Sequence, residues 1–220
     1  MERKKLLKIV QFFYSTLTRT EFIGTENIPA DGGLILATNH MSRADVPLLM
    51  LTPNRPDMVA LAADKYKKHP IFSFILNAAD VIWLDRDKAD FSALSTARQY
   101  IQGGGAIGIA PEGTRSKIGA LIEGKAGTAL LAARANCPII PVGITGTEVA
   151  IKKLLALHRP NLVVRYGKAF RLPPFSQADR AVWLSQSTDE IMCRIAALLP
   201  EAYRGFYKNH PRLKELLNSV

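Results

Sequence analysis

Gly33-Leu34-Ile35-Leu36-Ala37-Thr38-Asn39-His40-Met41-Ser42-Arg43-Ala44-Asp45 decides the fold. Its first six residues form an apolar run of strand length, and an imidazole follows almost at once. A second, helix-like apolar stretch covers Val46 to Leu51. In an open α/β sheet, ligands bind beyond the carboxyl ends of the strands, where His40 falls. Residues five apart on a straight helix point well away from each other. His40 and Asp45 therefore meet only if the chain turns between them. A strand end, a turn and a helix beginning near Asp45 accomplish this. Asp45 then holds one imidazole nitrogen and leaves the other free to accept a proton, the base-and-orienter part of a hydrolytic triad without its serine.

The same alternation continues outward. Strand-length apolar runs recur at Met58 to Ala62, Val81 to Leu84, Ala106 to Ala110, Ile139 to Ile144 and Leu162 to Tyr166. Helix-like stretches separate them: Pro70 to Asn77, Ala89 to Gln102, Gly124 to Asn136 and Glu148 to Leu157. This predicts a single α/β domain with a mostly parallel central sheet flanked by helices. A further helix is expected over Ala181 to Leu199, followed by a basic, aromatic tail from Tyr203 to Leu217. At the other end, Leu6, Val10, Phe13, Tyr14 and Leu17 recur at helical spacing, with Arg3, Lys4, Lys5 and Lys8 at the start. Such a segment suits the surface of an anionic membrane, apolar side chains inward and cations at the headgroups. The expected division is 1–20 as an amphipathic, membrane-facing helix and 21–220 as the catalytic domain with its helical tail. No secretory signal peptide is visible, and no apolar stretch reaches the ~20 residues of a membrane-spanning helix.

Two more strand ends carry polar groups. Pro111-Glu112-Gly113-Thr114-Arg115-Ser116 follows the run ending at Ala110 and suits an anionic or hydroxylated ligand, Arg115 offering a planar fork to phosphate. Asp85-Arg86-Asp87 follows the run ending at Leu84. The prolines of Cys137-Pro138-Ile139-Ile140-Pro141-Val142 place that run at a sheet edge, a bend or a cleft wall.

These segments together resemble the four motif blocks of the glycerolipid acyltransferase family, of the lysophosphatidic acid acyltransferase type. Asn39, His40 and Asp45 match its Asn-His-x-x-x-x-Asp block, and Pro111 to Ser116 matches its Pro-Glu-Gly-Thr-Arg-Ser block in full. Val81 to Arg86 and Pro138 to Val142 resemble the remaining two, and Lys125-Ala126-Gly127 resembles the Lys-x-Gly between the last pair. The likeness spans Phe22 to Leu172. It departs at Ala110, where an aromatic is usual, and at Ala79-Asp80, where the second block usually has Gly.

The resemblance implies transfer of a fatty acyl chain from an acyl thioester to the hydroxyl of 1-acyl-glycerol 3-phosphate, forming phosphatidic acid. His40 is then the general base and Asp45 its partner. Arg86, Glu112, Gly113, Thr114 and Arg115 bind the acceptor, with Glu112 paired to a cation or hydroxyl because it cannot attract phosphate. The backbone around Gly113 or Ile140 supplies oxyanion donors. Acyl-CoA or an acyl-carrier-protein thioester serves as co-substrate, and no other cofactor is expected. Other lysophospholipids or glycerol 3-phosphate are alternative acceptors. A thioesterase, or a non-catalytic membrane- or nucleic-acid-binding protein, are the rival classes.

Composition narrows these. The 220 residues carry 29 Lys and Arg against 19 Asp and Glu, a net charge of +10 that draws anionic partners. Hydrophobic residues at 48% exclude a disordered chain. Cys137 and Cys193 form no Cys-x-x-Cys pair and are read as packing residues of a reducing compartment. His69, His158 and His210 lack ligand spacing, so no metal site is expected. Gly103 to Gly108 fits a dinucleotide spacing but precedes a strand, where such a loop follows one, so it reads as a turn. Arg204-Gly205-Phe206-Tyr207 lacks the rest of an RNA-binding strand, and nucleic acid is not an expected partner. No Gly-x-Ser-x-Gly elbow occurs. The expected location is peripheral, on the cytoplasmic face of a membrane.

Overall fold

The computed structural model describes residues 1–85 and 90–218. Arg86 and Asp87, both named from the sequence, lie outside the described residues. The chain begins with helix α1 (Arg3–Leu17), then strand β1 (Arg19–Ile23), β2 (Leu34–Thr38), α2 (Asp45–Leu49), β3 (Val59–Ala63), α3 (Pro70–Ala78) and β4 (Ile82–Leu84). It continues with α4 (Phe91–Gln102), β5 (Ala106–Ile109), α5 (Gly127–Ala135), β6 (Ile139–Thr145), α6 (Ala150–Leu155), β7 (Asn161–Tyr166), α7 (Arg180–Ala197) and α8 (Pro211–Asn218). The strands form one sheet in the order β1-β7-β6-β2-β5-β3-β4, and every pairing is parallel except β6 with β7.

Alternation along the buried strands sorts the core into two layers. Ile35 and Ala37 of β2, with Ile107 and Ile139, meet α4, α5 and α7. Leu34 and Leu36, with Ile140, Val142 and Ile144, meet α1, α2 and α3 on the other face. Strand β2 is buried at all five positions, which explains its unbroken apolar run.

Two elements differ from the sequence expectation. Strand β1 was not anticipated, because Arg19-Thr20-Glu21-Phe22-Ile23 alternates in exposure at a sheet edge and shows only two apolar residues. Strand β6 sits inside the sheet despite its prolines, paired to β2 on one side and β7 on the other. The reason is local. The Ile139 N–H and the Pro141 carbonyl point toward the segment after β7, where they meet the Phe170 carbonyl and the Gly167 N–H. The ladder with β7 begins only at Val142, so the missing N–H of Pro141 removes no bond from it.

Helix α1 lies against the second layer. Leu6 is buried, while Leu7, Val10 and Tyr14 pack on the core partly exposed. Phe13 and Leu17, on the same predicted stripe, face outward with Ile9 and Phe12. Arg3 donates to the carbonyls of Pro56, Met58 and Ala79, and the Tyr14 hydroxyl to the Ala44 carbonyl at 2.6 Å. The helix ends at Leu17 and β1 already begins at Arg19.

At the amino-terminal edge of the sheet the fully buried Arg55 acts as a spacer between loops. Its guanidinium pairs with both oxygens of Asp57 at 2.8 and 2.7 Å and donates to the carbonyls of Gly32 at 2.8 Å and Gly104 at 2.9 Å. This hydrogen bonding holds the Asp57 carboxyl below its usual range. Arg55→Ala removes the guanidinium from these acceptors, of which the Asp57 carboxylate keeps the Ala106 N–H at 3.0 Å. Urea denaturation should show a loss of about 3 kcal/mol or more; an unchanged midpoint would contradict the role given to this residue.

Candidate active site

Strand β2 delivers Asn39 and His40 to the carboxyl edge of the sheet. The Asn39 side-chain amide behaves like an extra peptide unit, donating to the Ile144 carbonyl at 2.8 Å and accepting from the Ile144 N–H at 2.7 Å. It therefore clamps the end of β2 to β6. The chain turns through Met41 to Ala44 and enters α2 at Asp45.

Asp45 is 1% exposed, and its carboxylate is saturated with donors. Oδ2 accepts from the backbone N–H groups of Met41 and Ser42 at 2.7 Å each and lies 2.9 Å from His40 Nδ1. Oδ1 accepts from the Thr147 hydroxyl, which arrives just past the end of β6. A buried carboxylate is costly unless so compensated. With Nδ1 donating to Asp45, Nε2 of a neutral imidazole is the acceptor. Among the described residues Nε2 has no hydrogen-bond partner, and the side chain stays 14% exposed.

The loop after β5 buttresses His40 from the other side. Glu112 is fully buried, and its carboxylate accepts from the His40 N–H at 2.8 Å and the Ile122 N–H at 2.9 Å. The His40 carbonyl accepts from the Ser116 N–H at 2.8 Å, so both backbone groups of His40 are tied to one loop. Burial pushes the Glu112 carboxyl up to about 7, against the lowering effect of the Ile122 and His40 N–H groups, with nearby Asp45 adding to the rise. Gly113 has φ +67°, where a side chain would be strained, and an added Cβ would lie 3.1 Å from the Lys125 side chain.

Two cavities meet at His40. One, of about 260 Å³, runs under α4 and α5 and is lined by Leu49, Gly108, Leu94 and Leu131, with Asp45, Gly113 and Lys125 near its polar end. The other, of about 280 Å³, lies among α1, α2 and α3 and is lined by Leu6, Val10, Phe72 and Leu76, with Arg43, Lys65, Thr114 and Arg115. His40, Val46, Ala60 and Leu61 line both.

Of the residues named from the sequence, the structure brings His40, Asp45, Gly113, Thr114 and Arg115 onto these cavity walls. Glu112 lines neither and points instead at backbone N–H groups. Sequence reasoning missed Thr147, which lies 102 positions from Asp45 and carried no signal beyond following a strand end. It also missed Arg43 and Lys65, whose place on a cavity wall depends on the turn after β2 and on α3.

A mostly parallel α/β sheet with a His–Asp pair and a buttressing Glu-Gly-Thr-Arg loop at its carboxyl edge defines an enzyme-like site flanked by two largely apolar cavities. A family model described as Acyltransferase matches residues 19–145, more than half of the chain. The chain belongs to the acyltransferase family. A 1-acyl-sn-glycerol-3-phosphate acyltransferase of Borreliella burgdorferi is 29% identical over 127 residues, covering 57% of this chain and 50% of the relative. One from Cocos nucifera is 33% identical over 137 residues, covering 60% of this chain and 44% of the relative. The chain spans about half the length of the curated relatives it matches. The crystal structure of a 1-acyl-sn-glycerophosphate acyltransferase from Thermotoga maritima shares the fold, with a TM-score of 0.64 at 22% identity over 86% of this chain and 79% of that one.

The Glu112 carboxyl yields a pH prediction. It holds its proton more tightly folded than unfolded, so it favours the folded state at low pH. That contribution is complete below about 4.5 and is lost as pH rises through about 7. The stability of the wild type relative to Glu112→Gln should fall across this window by up to roughly 3 kcal/mol. Parallel pH–stability curves for the two proteins would contradict the assignment.

Proposed function

We propose that the protein transfers a fatty acyl chain from an acyl thioester to the free hydroxyl of 1-acyl-glycerol 3-phosphate, forming phosphatidic acid and a free thiol. The observation that carries this reading is the position of His40, bound to Asp45 through Nδ1 and placed where two largely apolar cavities meet. Transfer between two long-chain lipids needs two apolar sites flanking one base.

In this reading His40 Nε2 takes the proton from the acceptor hydroxyl as its oxygen attacks the thioester carbonyl carbon. The tetrahedral intermediate collapses, the carbon–sulfur bond breaks, and the thiolate leaves with the proton carried by His40. Asp45 keeps the imidazole in the required tautomer and balances its charge while it is protonated. The cavity holding Arg43, Lys65, Thr114 and Arg115 takes the acceptor, whose phosphate needs cations. The cavity under α4 and α5 takes the donor's acyl chain, since its wall is mostly aliphatic, while Asp85 and Asp90 there disfavour the acceptor's phosphate. Glu112 acts on His40 through the backbone. The donor is acyl-CoA or an acyl-carrier-protein thioester.

The acceptor cavity is lined in part by α1 and α3, whose exposed apolar residues include Phe12, Phe13, Ile71 and Phe74. Lys4, Lys5 and Lys8 accompany them on α1, and Lys67 and Lys68 precede α3. This combination of apolar and cationic groups supports peripheral docking on an anionic membrane, with α1 as the contacting helix. No helix among the described residues is long and apolar enough to cross a membrane. The two cysteines are buried and unpaired, which fits a reducing, cytoplasmic face.

Thiol release from acyl-CoA, with and without lysophosphatidic acid, tests the reading. Wild type should release thiol only with acceptor, and His40→Ala should be slower by roughly 10²–10⁴-fold. Acceptor-independent release would indicate a thioesterase, and unimpaired turnover by His40→Ala would remove the base from the mechanism.

A further inference from the structure

The two cavities that meet at His40 differ in charge. Beside its aliphatic wall the first carries Asp45, Asp85 and Asp90 against Lys125. The second carries Arg43, Lys65 and Arg115, and no Asp or Glu lines it among the described residues. None of these three cations forms an ion pair among the described residues. Three like charges line one cavity, Arg43 and Lys65 exposed and Arg115 half-buried, and an anion bound among them is attracted by all three.

Two of the cations are held by an aromatic shelf. The Arg43 guanidinium lies 5.7 Å from the centre of the Phe72 ring, and Lys65 Nζ lies 5.6 Å from that of Tyr66. The two rings pack on each other with centres 5.8 Å apart. Cation–π contact holds a charged side chain in place without neutralising it, which leaves its hydrogen-bond donors for a ligand. Arg43 sits two residues before Asp45, in the turn that builds the His–Asp pair, so its charge is placed from the same short segment as the base.

We propose that Arg43, supported by Phe72 and joined by Lys65 and Arg115, recognises the phosphomonoester headgroup of the acceptor and selects it over neutral acceptors. This rests on the acceptor reading given above and adds to it the residues that read the headgroup. A phosphomonoester carries close to two negative charges at neutral pH, enough to engage more than one of the three cations. A planar guanidinium binds two of its oxygens at once, which an ammonium cannot do.

The test is the ratio of kcat/KM for lysophosphatidic acid to kcat/KM for monoacylglycerol, which lacks the phosphate, at saturating acyl-CoA in mixed micelles. Arg43→Ala should lower this ratio about tenfold or more, through the acceptor KM. Arg43→Lys should recover part of the loss, and Phe72→Leu should lower the ratio by a smaller factor. A wild-type ratio in Arg43→Ala overturns the proposal. Binding of short-chain lysophosphatidic acid, measured by calorimetry on the full chain, separates this proposal from the reaction it rests on. If wild type binds but transfers no acyl group to it, the reaction reading fails. In that case about tenfold weaker binding by Arg43→Ala still upholds the anion site, and equal binding by the two proteins removes it.

Discussion

A buried carboxylate at the edge of a sheet must find donors for both oxygens, and the Asp45 carboxylate gathers them from two parts of the chain. The turn between His40 and Asp45 supplies two backbone N–H groups, the imidazole a third donor, and Thr147 beyond β6 the fourth. Satisfying this carboxylate thereby fixes the turn, the ring orientation of His40 and the position of the loop after β6. Asn39 repeats the logic one residue upstream, pinning β2 to β6 through paired hydrogen bonds with Ile144. Glu112 does the same for the His40 main chain. His40 is held by its side chain, its N–H and its carbonyl, and Nε2 alone is left without a partner among the described residues.

That rigidity sits between two compartments of different chemistry. Sheet and helices α4 and α5 enclose one of them, while α1 and α3 enclose the other and turn large apolar side chains outward. Arg43, Lys65 and Arg115 line the second, cationic cavity, and the imidazole lines both. The first cavity, reached from the same imidazole, offers an aliphatic wall. In the proposed reaction the cationic lining serves the phosphate, His40 the hydroxyl and the aliphatic lining of the first cavity the acyl chain.

Much of this was legible in the sequence where one residue's surroundings depend on near neighbours. The apolar run from Leu34 to Thr38 announced a buried strand, and the five-residue gap from His40 to Asp45 demanded the turn that is present. Strand β1 escaped notice because an edge strand needs few apolar residues, and β6 was expected at an edge, a bend or a cleft wall because a sequence does not show which side of a strand a proline nitrogen faces. Glu112 was expected to bind the acceptor, paired with a cation or hydroxyl, and the direction of its carboxylate toward backbone N–H groups was invisible, since the partner Ile122 lies in a separate stretch of loop. Thr147 and the aromatic shelf under Arg43 are contacts between distant segments, set by the sheet order rather than by local pattern.

The central claim is that Asp45 fixes His40 in one tautomer with Nε2 available as a base. Nitrogen-15 NMR of histidine-labelled protein near neutral pH, with the His40 signals assigned by their loss in His40→Ala, reads this directly. The structure predicts that the neutral form of the ring carries its proton on Nδ1 and leaves Nε2 unprotonated. A ring protonated at Nε2 instead, or one exchanging freely between tautomers, would contradict the account.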